Sequence, residues 1–128
     1  MSLADGAAVV GELFDGVAGF RLRRMFGGLG LFAGDVMFGL IDDGQIYLKT
    51  DPALEADLRA AGAHAWLYTE RNGPKAGIVQ ETSYVSLPEE AYDDPEEACR
   101  WAVRAQAVAE AVRATRPPRR QRTRAERL

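Results

Sequence analysis

The chain of 128 residues has room for one domain, and its single cysteine excludes a disulfide framework. No apolar run approaches the roughly 20 residues that a membrane-spanning helix needs, and the formal net charge is only -3. The composition therefore predicts one cytoplasmic domain that folds without a disulfide, a metal ion or a cofactor.

The small net charge combines an acidic segment with a basic one. Residues 1–112 carry 9 lysines and arginines against 18 acidic residues, whereas residues 113–128 carry 7 arginines and one glutamate. We expect residues 1–112 to form the domain and residues 113–128 to be a disordered tail, because two prolines end any helix and almost no apolar residue follows. The candidate nucleic-acid contacts of this tail are Arg119, Arg120, Arg122 and Arg124.

The beginning of the chain predicts a helix and then two strands. Apolar residues recur at the three- and four-residue spacing of one helix face, at Leu3, Ala7, Val10, Phe14 and Val17. Residues 21–26 are typical of a strand that ends at Gly27 and Gly28, and residues 29–32 of a short second strand.

The clearest predicted element is a hairpin formed by residues 36–41 and 45–50. Asp43-Gly44 is typical of a two-residue type I′ turn, which would pair Ile41 with Ile46. One face of the hairpin would hold Met37, Ile41, Ile46 and Leu48. The other face would hold Val36, Phe38, Leu40 and Tyr47.

This second hairpin face is the candidate dimer face. Since both faces of the hairpin are apolar, helices from the same chain are expected to cover only one of them. We expect a homodimer to bury the other, with the 52–61 helix or the 70–81 loop as the intramolecular alternative cover.

Two later helices begin with the same signal, an aspartate cap followed by proline. Asp51-Pro52 begins a short helix that stops at Gly62, and Asp94-Pro95 begins the longest helix. The predicted inner face of the long helix is Ala98, Trp101, Ala105, Val108 and Val112.

Strands are predicted at residues 66–68 and 82–86, with a glycine-containing loop at 70–81 between them. Strands grouped together and flanked by helices predict an α+β fold. We expect a two-layer sandwich in which an antiparallel sheet has helices packed mainly on one face.

No catalytic or cofactor-binding constellation emerges from the spacing of reactive residues. Gly28 to Ala33 matches G-x-G-x-x-A in form, but a strand follows it where a dinucleotide's phosphates need a helix. We interpret the glycines as a structural turn with a bulge. His64 is interpreted as a surface histidine and Cys99 as a buried, unreactive thiol.

The segment from Arg24 to Phe32, R-M-F-G-G-L-G-L-F, resembles the R-M-F-G-G-x-G-x-F signature of TfoX (Sxy) N-terminal domains. Residues 34–40, 46–51 and 83–90 continue the resemblance, which covers residues 12–112. The signature residues, to which we assign a structural or interaction role, are Arg24, Met25, Phe26, Gly27, Gly28, Gly30 and Phe32.

The resemblance implies a two-layer α+β domain linked to the regulation of natural competence and of transcription, and it supplies no catalytic residues. We therefore expect a noncatalytic regulatory or protein-interaction module. One alternative is a nucleic-acid-associated protein that uses the tail together with Arg21, Arg23 and Arg24. The other is a small-ligand binder or enzyme that uses the turn at residues 27–30.

Overall fold

The computed structural model describes residues 10–25, 28–69, 73–74 and 76–115. The strands are β1 (Phe20–Met25), β2 (Gly28–Ala33), β3 (Val36–Asp42), β4 (Gln45–Lys49), β5 (Ala65–Thr69) and β6 (Val79–Ser86). They form one antiparallel sheet in the order β1-β2-β3-β4-β6-β5, so β6 lies between β4 and β5. The helices are α1 (Pro52–Ala60), a 3-10 helix (Glu89–Asp93) and α2 (Pro95–Thr115).

The β3–β4 hairpin has the predicted register. Ile41 lies opposite Ile46, and Asp42 opposite Gln45, which leaves Asp43 and Gly44 as the loop. Their φ angles are 51° and 77°, the two left-handed conformations that a type I′ turn requires.

A β-bulge in β3 reverses part of the predicted face assignment. Leu31 of β2 pairs with Gly39 of β3 but Phe32 pairs with Met37, so Phe38 is an extra residue in β3. The bulge turns Phe38 toward the helices, where it is fully buried. It leaves Met37 on the opposite side of the sheet and Val36, which pairs with the core residue Ala33, on the helix side, so the predicted faces of Val36, Met37 and Phe38 were wrong.

All described helices place their buried apolar residues on one side of the sheet, which confirms the two-layer α+β architecture. One hydrophobic core joins them to the sheet. Its helical members include Val10, Leu13, Leu54, Leu58, Ala91, Ala98, Ala102 and Ala105. Its strand members include Leu29, Leu31, Ala33, Phe38, Ile41, Ile46, Leu48 and Val85.

Helix α1 begins as its sequence predicts. The Asp51 carboxylate accepts a hydrogen bond from the Leu54 N–H at 2.8 Å, and Pro52 takes the first helical position. The helix packs against the same side of the sheet as α2, so it does not cover Leu40 or Tyr47 of the candidate dimer face.

Helix α2 buries a stripe of small residues that differs in part from the predicted one. The buried residues are Ala98, Ala102, Ala105, Val108 and Ala109. Alanines allow the helix to approach the sheet closely, while the bulky Trp101 lies half-buried at the margin and Val112 is 37% exposed. The helix extends to Thr115, three residues past the predicted end of the domain, and Arg113 forms an ion pair with Asp35 at 2.9 Å.

Near the start of the chain, residues 10–13 are helical and turns follow. Phe14 and Val17 are buried, although they lie beyond the helical residues. Leu3 and Ala7 lie outside the described residues, as does the tail from residue 116 onward. Within the described part of the chain, no helix is long and apolar enough to span a membrane.

Candidate interaction face

The side of the sheet that faces away from the core is called the open face here. Residues that pair directly across two strands have their side chains on the same face of the sheet. Leu40 pairs with Gly30 and with Tyr47, so Leu40 and Tyr47 both lie on the open face. In sheet order its side chains include Arg21, Arg23, Met25, Phe32, Met37, Leu40, Tyr47, Lys49, Tyr84, Trp66 and Tyr68. The described helices contribute none of their buried apolar residues to this side.

The middle of the open face is apolar. Phe32 and Leu40 are 7% and 4% exposed, although neither belongs to the core beneath the helices. The Arg23 guanidinium lies over the Phe32 ring, 5.7 Å from its centroid, and covers part of this apolar region.

Five rings form an aromatic cluster toward β5: Tyr47, His64, Trp66, Tyr68 and Tyr84. Trp66 is central, with ring centroids 5.5 Å from Tyr68 and 6.2 Å from Tyr47 and Tyr84. His64 lies 5.9 Å from Tyr47 in an edge-on arrangement. These tilted and edge-on contacts are the favourable geometries for aromatic pairs, so the rings hold one another in place.

Polar groups fix the cluster at its border. Trp66 donates through Nε1 to the Asp42 carboxylate at 3.0 Å. The Lys49 ammonium donates to the Ser83 hydroxyl at 2.7 Å and lies 5.3 Å from the Tyr84 ring centroid. Burial raises the pKa of the Tyr84 phenol above its ordinary value.

Only part of the candidate dimer face lies on the open face. Leu40 and Tyr47 do, and Tyr47 is half-buried. Val36 pairs with the core residue Ala33, and the bulge turns Phe38 into the core. The four residues therefore do not form one surface, because the period-two alternation from which they were grouped is interrupted within β3.

The family-signature residues lie along the β1–β2 pair. Arg24 is exposed and pairs with Leu29, while Met25 is half-buried and pairs with Gly28. Gly28, Gly30 and Phe32 are all buried in β2. Phe26 and Gly27 lie outside the described residues.

Gly28 and Gly30 belong to a strand rather than to the predicted turn. A Cβ at Gly28 would meet the backbone carbonyl oxygen of Ile41 in β3, so glycine allows β2 and β3 to approach closely. The bulge lies in β3, across from this strand. Nothing in this geometry resembles a phosphate-binding loop before a helix.

The remaining reactive residues lie apart from one another. The exposed His64 donates through its backbone N–H to the Ser86 hydroxyl at 2.9 Å. Cys99, predicted to be buried, is half-buried, and its Sγ lies 3.5 Å from the Leu13 carbonyl oxygen. Across the described ranges, no group of three or more His, Cys, Asp or Glu residues is arranged to hold a metal ion.

Of the arginines predicted to contact nucleic acid, those of β1 lie in the described residues and do not share one face of the sheet. Arg21 and Arg23 lie on the open face, and Arg21 donates two hydrogen bonds, of 3.1 and 2.9 Å, to the Gly34 carbonyl oxygen. Arg24 lies on the other side of the sheet. Arg119, Arg120, Arg122 and Arg124 lie outside the described residues.

Sequence reasoning missed the aromatic cluster. The alternation of Trp66 and Tyr68 was the available signal, since residues two apart on a strand share a face. Which face they share depends on the pairing of β5 with β6, whose register shifts between Ala65 and Leu67.

A six-stranded antiparallel sheet with helices on one side and an aromatic open face defines the chain as a two-layer α+β domain. A family model, the TfoX N-terminal domain, matches residues 12–109, so the chain belongs to that family. A stretch of 52 residues is 35% identical to the DNA transformation protein TfoX1 of Aliivibrio fischeri. The match spans 41% of this chain but only 25% of that relative's length.

Proposed function

We propose that this chain is a noncatalytic regulatory module that binds a protein partner through its open face. The observation that carries the proposal is the aromatic cluster, centred on Trp66, on a sheet side that receives no buried residue from the described helices. Aromatic residues with a polar border are enriched at protein interfaces, because they bury a large area with few rotatable bonds.

Membership of the TfoX N-terminal domain family supports a regulatory role rather than an enzymatic one. The relative from Aliivibrio fischeri is named for DNA transformation, which supports a role related to competence for this chain as well. The resemblance of residues 24–32 to the signature of this family also supports a role in the control of transcription.

The test is complementation in the native host after deletion of the gene, with transformation frequency and transcript levels as readouts. Tyr47→Ser removes one ring of the aromatic cluster, and Arg23→Glu reverses the charge beside the Phe32 ring; both leave the residues of β5 unchanged. We expect both variants to lose complementation by at least tenfold while they retain the wild-type melting temperature within a few degrees.

The matched control is Arg100→Glu, which makes the same charge change on the exposed part of α2. This variant should complement like the wild-type chain. Full complementation by the open-face variants, or a deletion that alters neither readout, would contradict the proposal.

A further inference from the structure

The two edge strands of the sheet differ sharply in charge. β1 carries three exposed arginines, Arg21, Arg23 and Arg24, and charged side chains are a common means by which edge strands resist pairing with other chains. β5 has the sequence Ala-Trp-Leu-Tyr-Thr, with neither a charge nor a proline. Its Leu67 and Tyr68 are 60% and 40% exposed. Among the described strands, β1 therefore has charges that protect its edge and β5 has none.

An apolar patch continues from this unprotected edge onto β6. Thr69 pairs with Val79, which places Val79 on the same side of the sheet as Leu67. Val79 is 60% exposed, and the adjacent Ile78 is 53% exposed. Exposed apolar side chains gathered at a strand edge are typical of a surface that pairs with another strand.

The backbone of β5 is oriented for such pairing. The Trp66 carbonyl points inward, since it accepts a hydrogen bond from the Thr82 hydroxyl of β6 at 3.0 Å. Backbone groups alternate in direction along a strand, so the N–H and C=O of Leu67 point to the outer side. Among the described residues, no strand pairs with that outer side.

We propose that β5 pairs antiparallel with β5 of a second copy of this chain, across a two-fold axis at Leu67. In this register Leu67 lies opposite Leu67, Trp66 opposite Tyr68, and Ala65 opposite Thr69. The two sheets join edge to edge, and the two aromatic clusters become neighbours on one continuous open face. This inference is independent of the partner proposed above.

A second copy fits this edge because the strand is complementary to itself. Aromatic cross-strand pairs are among the favourable ones, and no like charges oppose each other in this register. A closed two-fold contact also brings the patch of Leu67, Ile78 and Val79 close to its own copy. Such isologous pairing is the commonest form of protein oligomer.

The first test measures mass by sedimentation equilibrium from micromolar to submillimolar concentration. We expect the full chain to approach twice its mass of 14.0 kDa. Leu67→Lys places two ammonium groups opposite each other and should weaken association at least tenfold. Val103→Lys, the same kind of change at a 55% exposed residue of α2, should associate like the wild type.

The second test identifies the register by cross-linking in a Cys99→Ser background. Directly opposite residues in a hydrogen-bonded antiparallel pair have Cα atoms about 5.5 Å apart, within the span of a disulfide. Leu67→Cys should form a covalent dimer on mild oxidation with copper phenanthroline, and Val103→Cys should not. A monomeric mass throughout, a Leu67→Lys variant that associates normally, or equal cross-linking at both positions would overturn the proposal.

Discussion

Gly28 and Gly30 lie two residues apart in the same strand, yet they meet different neighbours. At Gly28, a Cβ would meet the backbone carbonyl oxygen of Ile41 in β3, and this oxygen moves only if the whole strand moves. At Gly30, a Cβ would lie 2.8 Å from the Met25 sulfur and 3.0 Å from a Phe32 ring carbon. The Met25 side chain is flexible and is able to move aside.

Gly28→Ala should therefore lower the free energy of unfolding by about 1–3 kcal/mol, the usual cost of overpacking. Gly30→Ala should cost clearly less, because a side chain rather than the backbone moves. Denaturant unfolding monitored by tryptophan fluorescence measures both values. Equal losses in the two variants would show that the spacing of β2 and β3 does not depend on Gly28.

At the scale of elements, Tyr92 connects the 3-10 helix to the sheet. Its hydroxyl accepts hydrogen bonds from the backbone N–H of Ile46 at 2.8 Å and from the Gln45 amide at 2.7 Å. The Ile46 carbonyl accepts from the N–H of Leu87 at 2.9 Å. Tyr92 thus provides a hydrogen-bond acceptor for the Ile46 N–H at the N-terminal end of β4, just beyond the last residue that pairs with β6.

Tyr92→Phe should lower the free energy of unfolding by about 1–3 kcal/mol, because it leaves the partly buried Ile46 N–H without its acceptor. Tyr68→Phe, at an exposed residue, is the control and should cost much less. Denaturant titrations of both variants at neutral pH decide the matter. An unchanged midpoint for Tyr92→Phe would mean that water replaces the hydroxyl without cost.

The same tyrosine predicts a loss of stability in alkali. Burial raises the pKa of Tyr92 above the ordinary value of 10.0, and it does the same for Tyr47 and Tyr84. As the pH rises through 10, these phenols ionise in the unfolded chain before they do so in the folded one. The contribution of these tyrosines to the free energy of unfolding is therefore fully present below pH 10 and is lost as the pH rises above it. Tyr92→Phe should show a shallower fall than the wild type, and an equal slope would exclude Tyr92 as a contributor.

Local signals in the sequence predicted the elements that depend on them. The Asp51 cap and the Asp43-Gly44 turn were predictable because each is specified by two or three adjacent residues. The bulge at Phe38 was not predictable, because it arises from the pairing of β3 with β2 and no residue pattern within β3 indicates it. The start of β6 at Val79, which lies within the predicted 70–81 loop, and the 3-10 helix were also missed.

At the scale of the whole molecule, the candidate site was the least predictable part. The aromatic residues were visible in the sequence, but their union on one face requires β6 to lie between β4 and β5. In this order Tyr47 of β4 and Trp66 of β5 have their ring centroids 6.2 Å apart, although β6 lies between their strands. No spacing in the sequence encodes such an arrangement, because the contact joins three strands that are distant along the chain.

The charge distribution supports a prediction about the tail. A chain that ends at Thr115 keeps the Arg113–Asp35 ion pair and loses six of the sixteen basic residues. We expect its melting temperature to equal that of the full chain, and its retention on heparin at low salt to disappear. A fall of several degrees would mean that residues beyond Thr115 stabilise the domain.

The order of strands in the sheet also bears on how the chain is made. During synthesis the N-terminal part emerges first, so β1 to β4 can pair in turn, each with its predecessor. β5 emerges next but finds no neighbour until β6 has been translated, because β6 separates it from β4. Helix α2, which covers much of the core, is translated after every strand. Between the emergence of β5 and that of β6 from the ribosome, the nascent chain therefore exposes an unpaired apolar strand and an uncovered sheet, the kind of surface that chaperones bind.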